Sequence, residues 1–118
     1  MGQYHYPVNL TKKQYLDPHK FNDGLKLREF GCSSNGTMTA LCYLLASSIG
    51  RGGGDFQDGD HAGTWAGDKI AIIGDYSEKG DIPKMDAQKI YNDLMEKGKY
   101  TDISLAVIAE IPDCRGGG

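Results

Sequence analysis

Residues Gly31 to Phe56 read GCSSNGTMTALCYLLASSIGRGGGDF, and how this stretch folds decides the architecture of the chain. Ser33, Ser34, Asn35 and Thr37 all suit a helix start, where a short side-chain oxygen takes up a free N–H of the first turn. Met38, Leu41, Cys42, Leu45 and Ile49 then recur at three- and four-residue spacing, which predicts one central helix stopped by Gly50. Ala40 and Leu44 widen the stripe, so this helix should be packed on more than one side, with Tyr43, Ser47 and Ser48 outward. If buried, Leu41 or Leu45 would each cost about 2–5 kcal/mol on replacement by alanine.

Upstream, Gln3 to Leu10 alternates like an opening strand, and Pro7 assigns it to an edge or ends it early, since proline gives a ladder no N–H. Thr11 to Leu16 admits a helical turn or a second strand. Asp17-Pro18-His19 and Asn22-Asp23-Gly24 are turn sequences, with Phe21 between them as a core anchor. Leu25 to Phe30 alternates as a short strand ended by Gly31.

Downstream, seven glycines fall among the eighteen residues from Gly50 to Gly67, a length of loop that compact domains keep for function or mobility. Trp65 closes it. The run Ile70 to Ile73 reads as a central strand covered on both faces. Two amphipathic helices follow. The first opens at Met85 or Asp86, with Ala87, Ile90, Tyr91, Leu94 and Met95 on its apolar face and Gly98 as its stop. The second opens at Thr101 or Asp102, with Ile103, Ala106, Val107 and Ile111 inward and Pro112 ending it. Together these elements predict an α+β fold: a small, mostly antiparallel sheet packed with one central apolar helix and two C-terminal amphipathic helices, in a single domain spanning 1–118.

Composition narrows the function. The length of 118 residues suits one core, and 39% hydrophobic residues with a net charge of −3 describe a folded chain. The longest basic run is Lys12-Lys13, so no extended nucleic-acid surface is expected, although Lys20, Arg28, Arg51 and Lys69 can form a local basic pocket. No apolar run reaches membrane-span length, and the N-terminal MGQYHYPVNL lacks the pattern of a signal peptide. Three cysteines without CxxC spacing fit a reducing compartment, which predicts a cytoplasmic location.

Four places can carry chemistry. The loop from Gly31 to Thr37 offers helix-start amides and the hydroxyls of Ser33, Ser34 and Thr37 to an anion, although capping alone explains the same residues. Arg51-Gly52-Gly53-Gly54-Asp55 lets backbone approach a ligand at Gly53 while Arg51 pairs with a phosphate or carboxylate; a mobile tip accounts for it equally well. Neither loop is a Walker A or a dinucleotide fingerprint. Asp55, Asp58, Asp60 and His61 lack EF-hand spacing and read as a solvated acidic loop, so no metal and no cofactor is expected. Last, Cys32 precedes a predicted helix start, a setting that favours thiolate, and His61 precedes a strand, with Asp68 or Asp75 able to orient it.

That order of Cys32, His61 and a following apolar strand resembles the papain-like cysteine hydrolases. It departs from them in lacking an aromatic after the cysteine and in placing His61 ahead of the strand. More of the chain, through GQYHYPVNLTKKQY, DPHKFNDGLKLREFG, GTMTALCYLLASS, GRGGGDF and WAGDKIAIIGDY, resembles small proteins of bacteriophages and other mobile elements that have no assigned activity. This second resemblance implies a compact accessory protein that binds a host protein or a signalling nucleotide, for instance to counter host defence. The leading expectation is therefore a non-enzymatic binding protein. Its glycine-rich loops would hold a host protein or a small anionic ligand through Ser33, Ser34, Thr37, Arg51 and Gly53, with Trp65 giving apolar contact. The alternative is a cysteine hydrolase using Cys32, His61 and Asp75. Oligomeric state is left open.

Overall fold

Strand β1 (His5–Asn9) is the centre of the sheet, and the reason lies in how its hairpin is tied. The computed structural model describes residues 3–32, 36–47 and 59–111. The buried Asn9 accepts the Lys12 N–H at 2.7 Å and donates to Asp68 Oδ2 at 2.8 Å, which folds residues 10–13 into a tight turn. Strand β2 (Gln14–Tyr15) then returns antiparallel to β1, so the ambiguous stretch after Leu10 is a turn that leads into a two-residue strand.

Pro7 does not put β1 at an edge. The sheet order is β3-β1-β2-β4, with β3 (Ile70–Gly74) and β4 (Thr101–Asp102) outermost. Pro7 is tolerated because its missing N–H would have pointed at Leu16, just past the end of the short β2. There the Leu16 N–H still donates to the Pro7 carbonyl at 3.0 Å, and the ladder simply stops. Conversely, Ile70 to Ile73 lies on an edge strand and is not covered on both faces. Pairings β1–β3 and β1–β2 are antiparallel and only β2–β4 is parallel, so the small sheet is mostly antiparallel and the fold is α+β.

Between β2 and the central helix, Asp17 caps a 3-10 turn, Pro18–Phe21, which buries Phe21 completely. The chain then reverses at Asn22, the residue with positive φ (62°), and not at Gly24. The stretch predicted as a strand from Leu25 to Phe30 is instead helix α1 (Leu27–Gly31). Glu29 explains the difference, because its carboxylate accepts the Lys26 N–H at 3.0 Å and closes the first helical turn.

The central helix α2 (Thr37–Leu45) is shorter than its apolar pattern. The carbonyls of Tyr43 and Leu44 are taken by the N–H groups of Gly63 (3.0 Å) and Trp65 (2.9 Å), so a crossing segment satisfies the helix end in place of further turns. Gly50, the predicted stop, lies outside the described residues. The buried face of α2 also differs from expectation: Tyr43 is fully buried, while Cys42 is exposed.

Helix α3 (Ala87–Met95) starts at Asp86, whose side chain accepts the Lys89 N–H at 3.1 Å, and Gly98 turns the chain beyond it at φ 93°. Helix α4 (Ser104–Glu110) follows β4, and its Val107 and Ile108 are buried while Ala106 is exposed. Two apolar clusters result. On one side Val8 and Ile73 pack with Ile90 and Leu94 of α3. On the other, Trp65, Phe21, Tyr43, Leu44 and Val107 join the 3-10 turn, α2 and α4. Among the described residues no helix is long and apolar enough to cross a membrane.

Candidate functional site

The predicted anion site begins with Thr37, and Thr37 is already engaged. It is fully buried, and its N–H and its hydroxyl both donate to Asp23 Oδ2 at 2.7 Å. The carboxylate of Asp23 thus occupies the positive end of α2 that an external anion was expected to use. Gly36 makes this approach possible, since a Cβ there would lie 2.5 Å from Asp23 Oδ2. Ser33, Ser34, Arg51 and Gly53 lie outside the described residues, as do Asp55 and Asp58.

The proposed cysteine–histidine–aspartate set is distributed over separate partners. Cys32 is exposed and caps the carbonyl end of α1, donating its N–H to Arg28 O at 3.1 Å; the amide end of a helix is what activation would need. Asp75 accepts the Tyr4 N–H at 3.0 Å, and Asp68 serves Asn9 and Lys12. The His61 ring pairs through Nδ1 with Glu110, a residue the sequence reading passed over. Glu110 also accepts the His61 N–H at 2.8 Å and the Tyr43 hydroxyl at 2.7 Å. Burial pushes the Glu110 carboxyl up, but the hydrogen bonds from His61 and Tyr43 more than offset this and hold it below an ordinary glutamate. A Cβ on Gly59 would lie 2.4 Å from both Glu110 Oε1 and the Tyr43 oxygen, so this knot requires glycine there. Its geometry staples the 59–67 segment to α2 and α4. Among the described residues no three potential metal ligands converge.

The open site lies elsewhere. Between α2 and the sheet runs an apolar groove of about 490 Å³, walled by Met38, Cys42 and Leu45 of α2 on one side and by Ile70 and Ile72 of β3 on the other. Trp65 lies at its base. Its indole N–H donates to Gln14 Oε1 at 2.8 Å and the residue is fully buried, so it braces the groove as well as lining it. Trp65 is the one predicted binding residue that the described structure places at an open surface feature. The groove exists because the stripe Met38-Cys42-Leu45, read as core, looks across a gap at two isoleucines that no other described residue covers. Ile70 is 39% and Ile72 46% exposed.

No protein family, curated protein or solved structure matches the chain.

Proposed function

We propose that this protein acts by binding, as an accessory protein of the phage or mobile-element kind, and that the groove between α2 and β3 receives an apolar segment of a host polypeptide. The observation that carries this reading is the open apolar groove with two half-exposed isoleucines on one wall. Small globular proteins pay for such a patch in solubility, and those that retain one use it for recognition. The anionic or nucleotide ligand is the weaker branch of the expectation, because Asp23 fills the helix start where Thr37 was to contribute.

Selection of random linear peptides against the immobilised protein tests the proposal, followed by titration against wild type and Cys42→Asp. Cys42 is exposed on the helical wall, so the substitution puts charge into the groove without emptying the core. Apolar peptides that bind wild type and lose at least about tenfold in affinity, roughly 1.4 kcal/mol, on Cys42→Asp are the expected result. Selected peptides indifferent to that change, or none selected, would overturn it.

A further inference from the structure

The backbone of β3 carries a message independent of the groove. In an antiparallel ladder, alternate residues turn their N–H and C=O toward a neighbouring strand or away from it. Asp75 N–H donates to Tyr4 O at 2.9 Å and Leu10 N–H to Lys69 O at 2.8 Å, which marks the odd-numbered residues of this strand as those bonded to β1. Ile70, Ile72 and Gly74 therefore point their backbone groups outward. Gly74 is closed off by Ser77, whose hydroxyl accepts the Gly74 N–H at 3.0 Å and whose N–H donates to the Gly74 carbonyl at 3.1 Å. At the other end, the Asp68 N–H is spent on Trp65 O at 3.1 Å. Among the described residues, the open hydrogen-bonding groups of this edge are thus those of Ile70 and Ile72. Folded proteins usually blunt such an edge with proline, lysine, a bulge or a covering segment. Among the described residues none of these interrupts or covers Ile70-Ala71-Ile72.

We infer that this edge pairs with the same edge of a second copy of the chain, antiparallel about a twofold axis at Ala71. In that register Ile70 faces Ile72 of the second copy and Ile72 faces its Ile70, so every open N–H meets an open C=O. Sliding by two residues wastes half of them: Ile70 then faces the capped Gly74 while only Ile72 still pairs, or Ile72 faces Asp68 while only Ile70 does. Charge agrees with the same register. The Lys69 ammonium is in no ion pair among the described residues; only its backbone is engaged, the N–H by Thr11 Oγ1 and the carbonyl by the Leu10 N–H. Across the axis Lys69 lies diagonal to Asp75 of the second copy on the same sheet face, about 7–8 Å between Cα atoms and within reach of a lysine. Symmetry makes this contact twice. The two sheets join into one of eight strands, and the two grooves lie side by side on one face.

Light scattering during gel filtration of the full chain reads the state directly, with twice the 12.8 kDa chain mass expected. Register is read by Ala71→Cys in a chain whose Cys32, Cys42 and Cys114 are serine. Ala71 would face itself across a narrow pair with Cα atoms about 4.5 Å apart, inside disulfide range. Mild oxidation should link the Ala71→Cys chains and leave the exposed Lys79→Cys control unlinked, and Ile70→Lys should elute as monomer. A wild-type monomer at every concentration, linking no faster at Ala71→Cys than at the control, or a dimer indifferent to Ile70→Lys would each overturn the inference. Peptide binding at the groove is read separately through Cys42→Asp, so either proposal can fail alone.

Discussion

Ile73 is 1% exposed and Ile72, its neighbour in β3, is 46% exposed. The two residues are chemically identical and differ only in which face of the sheet they occupy. On the Ile73 face, α3 lies against the strand and brings Ile90 and Leu94 into contact with Val8 and Ile73. On the Ile72 face, α2 is drawn away toward α4 and the 3-10 turn, because its Tyr43 and Leu44 belong to the cluster around Trp65 and Val107. The apolar side chains of Met38 and Leu45 are left at the rim of that cluster, facing the isoleucines across the groove. One face of the strand stabilises the fold, and the other stays open, as the proposed binding role requires.

The sharpest way to break this comparison is a pair of truncations. Ile73→Ala should cost about 2–5 kcal/mol in urea denaturation, as a buried isoleucine leaves a cavity. Ile72→Ala should cost about 1 kcal/mol or less, because half of that side chain is already in water. Equal losses would mean that the two faces are not different. Next in size, Thr37→Val should cost about 1–3 kcal/mol by leaving Asp23 with one donor fewer. Thr37→Ser, which keeps the hydroxyl, should recover part of that loss; a cost unchanged by the hydroxyl would show that Asp23 does not hold the helix start.

The smallest expected effect concerns pH. Glu110 is held below the ordinary glutamate value of 4.5, so its bonds to His61 and Tyr43 contribute fully above that value. The contribution is lost as pH falls through the lower folded-state value. Glu110→Gln should therefore be less stable than wild type at neutral pH, and the gap should narrow on acidification through that window. A gap that stays constant, or widens, as pH falls would remove the proposed role of the charge.

How much of this was legible in the sequence follows from which signals are local. The α+β class, the mostly antiparallel sheet, the Asp86 start of α3 and the burial of Phe21 are all written in caps, turns and periodicity. The strand predicted at Leu25–Phe30 failed because alternation over six residues is weaker than a single side-chain bond from Glu29 to the Lys26 backbone. Pro7 misdirected the strand order because its effect depends on the length of β2, which a reading of β1 alone does not contain. The groove was invisible for a related reason. Periodicity shows that Met38, Cys42, Leu45, Ile70 and Ile72 are apolar faces, and it does not show whether those faces meet. Glu110 escaped notice because its partners, Tyr43 and His61, are far from it along the chain.

The claim that one side of β3 is built for recognition is tested most directly by adding a selected apolar peptide to isotope-labelled protein and following amide and methyl resonances. Binding in the groove predicts shifts at Met38, Leu45, Ile70 and Ile72, with Ile90 and Leu94 of α3 unmoved. Shifts concentrated on α3, or around His61 and Glu110 with Ile72 silent, would contradict it.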